Sequence, residues 1–194
     1  MMTGSPIWSS FALVAVSEMG DKTQLLAFTL ASRYRRPWAI LAGILVATIL
    51  NHALAAGFGS WISGQLSPQT LRIALAAVFA AFGVWALIPD KDEGAREISG
   101  WGAFAATAIL FFLAEMGDKT QLATIALGAK YQDGFKVTIG TTLGMMLSDG
   151  AAVVFGEQLG ERLTETHKKW IRWGAAGLFF AFALTMALAA KDAV

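Results

Sequence analysis

The chain has 194 residues, 56% of them hydrophobic and only 15% charged, with a net charge of +1 and a mean hydropathy of +0.56. Soluble domains carry about a quarter charged residues, so this composition belongs to the membrane class. The near-neutral balance offers nothing to a nucleic acid, and the absence of cysteine excludes disulfides, thiolate metal sites and cysteine nucleophiles.

The first apolar segment, Ile7–Ala31, exceeds the ~20 residues that cross a bilayer as a helix. It has no basic n-region and no small-residue cleavage site, so it is expected to be a span and not a removed signal. Within it runs SEMGDKTQLLAF, Ser17–Phe28. On an unbroken helix at ~100° per residue, Glu18, Asp21, Lys22 and Gln24 fall on one polar arc. Gly20 then lies on the far side, where it would let a neighbouring helix come close. Glu18 and Lys22 stand at i,i+4 and are expected to pair. The second segment, Trp38–Ile62, carries Asn51 and His52 at its middle, and the third is Leu71–Ile88. The polar stretch PDKDEGAREISG leads to the fourth, Trp101–Ala129, which contains AEMGDKTQLATI, Ala114–Ile125. Glu115, Asp118, Lys119 and Gln121 repeat the arc, with Glu115 and Lys119 again at i,i+4. The fifth, Phe135–Leu159, has Ser148 and Asp149 at matching depth, and the sixth is Trp170–Ala190.

The repetition is wider than the motif. An offset of 97 also matches Tyr34 with Tyr131, Gly43 with Gly140, and Phe58-Gly59 with Phe155-Gly156. By the last segment the offset is 100, pairing Arg72, Phe79 and Phe82 with Arg172, Phe179 and Phe182. The expected fold is therefore an all-α membrane protein of six transmembrane helices, built as a 3+3 inverted-topology repeat. Residues 1–89 form the first three-helix unit, 90–97 a cytoplasmic linker and 98–194 the second unit. An odd number of spans per unit inserts the second copy from the opposite side, as in many secondary transporters.

Basic residues set the orientation. Arg33, Arg35, Arg36, Lys91, Arg96, Arg162, Lys168, Lys169 and Arg172 lie on one side, against Arg72, Lys130, Lys136 and Lys191 on the other. The richer side is cytoplasmic, which leaves both termini outside a bacterial-type inner membrane that the chain crosses several times. The tryptophans read as interface anchors, and the glycines of the second and fifth segments (Gly43, Gly57, Gly59; Gly140, Gly144, Gly150, Gly156) as close-packing positions.

A charge at mid-bilayer costs at least ~2.5–3.5 kcal/mol. If each lysine neutralises the glutamate of its own motif, Asp21 and Asp118 remain, and the two motifs total −2 when ionised. One divalent cation or two protons would neutralise that. The motif thus reads as half of a cation site, and the repeat supplies the other half. Salt bridges between helices explain the lysines but not the excess carboxylates. Asn51, Asp149, Gln24 and Gln121 are candidate further ligands or proton carriers. Lys22 and Lys119 have no lone pair for a metal and are expected to balance charge or gate. His52 is open between soft ligand, proton relay and a packing residue with its ring nitrogens satisfied, the last favoured. Oxygen donors without sulfur suit Mg2+, Ca2+ or Mn2+.

The sequences Glu18-Met19-Gly20-Asp21-Lys22-Thr23 and Glu115-Met116-Gly117-Asp118-Lys119-Thr120 both satisfy E-x-G-D-[KR]-[ST]. Through them the chain resembles the MneA-type manganese exporters, which are related to the Golgi and chloroplast cation/proton antiporters and grouped with the LysE-type exporters. The resemblance covers essentially the whole chain. It implies export of Mn2+, or in some members Ca2+, in exchange for protons, with Glu18, Asp21, Glu115 and Asp118 as metal ligands. It implies no resident cofactor: the transported ion itself occupies the central site. The partners are then the metal ion, protons and the bilayer, without nucleic acid; oligomeric state is left open.

Other classes fit less well. An intramembrane aspartyl protease would use two membrane aspartates as a proton-sharing pair. Glu18 stands where a GxGD motif needs glycine, and a lysine follows each aspartate. A zinc protease needs HExxH, which is absent. A passive cation channel is opposed by the same lysines.

Overall fold

The computed structural model describes residues 5–88, 102–162 and 165–191, and all its secondary structure is α-helix. The linker 90–97, with Lys91 and Arg96, lies outside the described residues. The helices are α1 (Pro6–Glu18), α2 (Lys22–Tyr34), α3 (Pro37–Ser63), α4 (Pro68–Ala86), α5 (Ala103–Glu115), α6 (Lys119–Tyr131), α7 (Gly134–Arg162) and α8 (Glu165–Lys191). Proline opens α1, α3 and α4 in the first turn, where no amide hydrogen is needed. Arg35 and Gln132, both left-handed, terminate α2 and α6 by donating backwards to Ala31 O and Gly128 O.

Two sequence expectations are corrected here. Ile7–Ala31 and Trp101–Ala129 are not continuous helices. Each breaks inside its motif, at Met19–Asp21 and Met116–Asp118, where Gly20 has φ 81° and Gly117 has φ 79°. A left-handed residue cannot continue a right-handed helix, and glycine adopts that region without the usual steric cost. Gly20 is therefore the hinge of a break and not a packing face. The single polar arc drawn on an unbroken helix does not exist.

Among the described residues, four helical segments are long and apolar enough to cross a membrane: Pro37–Ser63, Pro68–Ala86, Gly134–Phe155 and Lys169–Lys191. The half-length helices pack against the long helix from the other end of the chain. α1 and α2 lie on α7, α5 and α6 lie on α3, and α4 pairs with α8. Glycine makes the approach possible. A β-carbon on Gly43 would stand 2.8 Å from Phe104 O, and one on Gly140 would collide with Ile7 O. These are matching positions, since 43 + 97 = 140 and 7 + 97 = 104. One apolar cluster, around Phe79, Phe82, Leu127 and Phe179, fills the space between α4, α6 and α8. A second, around Ile40, Ile44, Leu110 and Phe111, fills that between α2, α3 and α5.

Candidate metal centre

The motif residues have specific local work. The Gly20 amide donates to Gln24 Oε1 at 2.9 Å and the Gly117 amide to Gln121 Oε1 at 2.7 Å, so each glutamine folds back one turn to close its own break. Thr23 Oγ1 donates to Glu18 Oε2 at 2.8 Å, and Thr120 Oγ1 to Glu115 Oε2 at 2.9 Å. Each threonine fixes one carboxylate oxygen of the preceding half-helix and leaves the other buried without a partner among the described residues. Asp21 caps α2, accepting from the Lys22 amide at 2.8 Å. The positive ends of α2 and α6 thus start beside the acidic groups and favour their charged form.

The two breaks meet. Glu18, Asp21 and Asp118 each present a carboxylate oxygen within 4.8 Å of the others, and all three are buried. Glu115 and Asp149 have no exposed surface. Glu18 Oε1, Glu115 Oε1, Asp118 Oδ2 and both Asp149 oxygens are buried without a hydrogen-bond partner among the described residues. Leaving a buried polar atom unpaired costs about 1–3 kcal/mol, more when it is charged. Unpaired buried oxygens of this kind are poor structure and good ligands for a hard cation; of their owners, Glu18 and Asp118 belong to the cluster within 4.8 Å, and Glu115 and Asp149 do not.

The predicted ion pairs are redrawn. The breaks remove the helical i,i+4 relation between Glu18 and Lys22 and between Glu115 and Lys119. Lys22 Nζ instead lies 3.3 Å from Asp118 Oδ1, so the ammonium of one motif serves the other motif. Asp118 is therefore not left uncompensated. Lys119 Nζ donates to Ile88 O at 3.3 Å and lies 5.6 Å from the centre of the Trp85 ring.

Asn51 Nδ2 donates to Phe112 O at 3.0 Å, and its Oδ1 accepts from Gln121 Nε2. Gln24 Nε2 donates to Ser148 O at 3.1 Å. These amides brace the broken helices against α3 and α7. Their partners align Asn51 with Ser148, so His52 corresponds to Asp149. His52 is fully buried, and neither ring nitrogen has a hydrogen-bond partner among the described residues. The threonines Thr23 and Thr120 were not singled out from the sequence, although both are the sixth residue of the motif. A cavity of about 40 Å³ reaches Gly20, Asp21 and Lys119 between Ala86 of α4 and Arg172 of α8. One water needs ~10–15 Å³.

The family profile described as "Divalent cation/proton antiporter GDT1" matches residues 6–94 and 103–194. A Vibrio cholerae protein named "Putative manganese exporter" is 47% identical over 179 residues, covering 92% of this chain and 88% of its own. "GDT1-like protein 4" of Arabidopsis thaliana is 28% identical over 225 residues, 95% of this chain and 96% of its own. "GDT1-like protein 3" of the same plant is 29% identical over 187 residues, 82% of this chain but 63% of its own length. No solved structure matches the chain. A profile that spans both motif-bearing broken helices, on an apolar all-helical scaffold, describes a membrane transporter and not an enzyme: the chain belongs to the GDT1 family of divalent cation/proton antiporters.

Proposed function

We propose that this chain exports Mn2+ from the cytoplasm in exchange for protons, through one site formed by Glu18, Asp21, Glu115 and Asp118. The observation that carries the reading is the convergence of buried carboxylates from two separate helix breaks, with oxygens that lack donors. In this reading α1–α2 and α5–α6 are each one interrupted span. The chain then has six spans, arranged as inverted units 1–89 and 98–194 joined by 90–97, with both termini outside. The matching dihedrals at Gly20 and Gly117 and the crossed packing of α1 on α7 and α5 on α3 support that repeat.

The chemistry follows from the pairing. Without metal, Lys22 holds Asp118 and part of the acidic charge is satisfied internally. An arriving divalent cation takes over the carboxylates and displaces the ammonium, which has no lone pair to share. Protons taken up from the opposite face release the metal by occupying the same oxygens. Hard oxygen donors suit Ca2+ as well as Mn2+. Mn2+ is preferred because the relative with 47% identity carries manganese in its name. Lysines inside the site oppose a passive cation pore, for which a saturable, proton-coupled flux would have no place.

Purified protein in liposomes tests this, with Mn2+, Ca2+, Mg2+ and Zn2+ offered in parallel and internal pH followed by a trapped dye. Saturable Mn2+ flux with opposite proton movement is expected. Flux without proton movement would sink the antiport reading, and larger Ca2+ than Mn2+ flux would reassign the cargo.

A further inference from the structure

We propose that the pocket between Arg72 and Lys130 binds a phosphate group, carried either by an anionic phospholipid headgroup or by a free phosphate ion. The pocket has a volume of about 220 Å³ and is bounded by the start of α4, the end of α6 and the end of α8. It is far from the carboxylate centre, at the opposite end of α4 from Ala86, and has no part in the metal chemistry. Arg72 Nη1 donates to Ala189 O at 2.7 Å, which fixes the guanidinium across the ends of α4 and α8 and leaves its other donors to the pocket. Lys130 Nζ lies 3.7 Å from the centre of the Phe182 ring and 4.8 Å from that of Tyr131. Aromatic faces position the ammonium but do not neutralise it. Among the described residues no carboxylate pairs with either cation.

Topology makes these two charges harder to ignore. Of the four basic residues on the poorer side of the charge count, Lys136 is neutralised by Asp133 at 2.7 Å and Lys191 is exposed in the last turn of α8. Arg72 and Lys130 are half-buried and oppose the orientation that the remaining basic residues impose. An anion of the adjoining membrane surface compensates both. Basic pockets between helices are known to take phosphate headgroups on the cytoplasmic side of membranes, and the same pairing of phosphate with basic side chains applies at the opposite face. The pocket has room for such a group together with several waters, each of which needs ~10–15 Å³. Ser67, which caps α4, places the positive end of that helix at the same rim.

Delipidated protein in neutral detergent would be titrated with phosphatidylglycerol, with phosphatidylcholine and with inorganic phosphate, and bound species read by native mass spectrometry. Phosphatidylglycerol retention about tenfold or more above phosphatidylcholine is expected for two basic contacts. Lys130→Gln should abolish that preference and Lys191→Gln should leave it. Arg72→Gln also removes the bond to Ala189, so Lys130→Gln, which removes no hydrogen bond among the described residues, carries the decision. Phosphate binding without lipid preference, lost in Lys130→Gln, would identify the free ion as the source. Equal retention of both lipids with no phosphate bound, or a preference that survives Lys130→Gln, overturns the site. No step of this test depends on cation transport, so it stands or falls apart from the exporter reading.

Discussion

Lys22 joins the two motifs at the acidic cluster. Its ammonium lies 3.3 Å from Asp118, with the lysine side chain 26% exposed and the aspartate side chain 4%. Removing one partner of a well-buried pair costs ~3–5 kcal/mol, because the other charge remains without compensation. The partial exposure of Lys22 places Lys22→Ala below that range. Unfolding in detergent should show the loss, and Asp118→Asn added to Lys22→Ala should recover most of it. Metal binding should survive Lys22→Ala, since the lysine supplies no ligand, while transport falls. Loss of metal binding in Lys22→Ala, or unchanged transport, would contradict this role. Sequence spacing put Lys22 against Glu18 because i,i+4 neighbours meet on an unbroken helix. What decided the partner was the break between them, which no period reveals. The amide pairing of Gln24 with Ser148 and of Gln121 with Asn51 was equally out of reach, since it depends on which long helix each half-helix touches.

At the scale of the element, two kinds of glycine are separable by substitution. Gly117 has φ 79° and a β-carbon there would meet nothing within 4 Å, so Gly117→Ala tests the backbone alone. The left-handed conformation costs an alanine ~1–2 kcal/mol, and the break should distort towards helix. Reduced Mn2+ affinity with modest loss of stability is expected. Gly140→Ala is the contrasting case. Its β-carbon would meet the Ile7 carbonyl and, at 3.0 Å, the Ser10 side chain, so overpacking of ~1–3 kcal/mol should separate α1 from α7. Thermal unfolding with and without Mn2+ distinguishes them: metal should stabilise the Gly140→Ala protein nearly as much as the parent, and the Gly117→Ala protein much less. Equal responses would mean that the break does not shape the site. The apolar segments, their order and the offset of 97 were legible from hydropathy and repetition. The packing glycine Gly43 was legible as well, but Gly20 was assigned to the same class because spacing on a helical wheel says nothing about φ.

For the whole molecule, the count of charge governs the coupling. Glu18, Asp21, Glu115, Asp118 and Asp149 are buried acids, against Lys22 and Lys119. If all ionise the sum is 2 − 5 = −3, and without Asp149 it is −2. A carrier whose site is neutral on both legs feels no membrane potential, whereas one uncompensated charge feels ~2.3 kcal/mol per 100 mV. One Mn2+ for two protons is therefore expected, with Asp149 protonated throughout. Mn2+ flux should depend on the pH gradient and not on a potential clamped with valinomycin and potassium. A clear voltage dependence at fixed pH gradient would reject two-for-one exchange and make Asp149 a third proton carrier. Asp149→Asn should then remove that dependence.

The central claim is that both motifs serve a single ion. Calorimetric titration of the purified protein with Mn2+ tests it most directly, in parallel with Asp21→Asn and Asp118→Asn. With the two aspartates and Glu18 within 4.8 Å of one another, the account predicts one Mn2+ per chain, with binding abolished or weakened at least about tenfold by either substitution alone. Two Mn2+ per chain, with each variant retaining one at unchanged affinity, would contradict it.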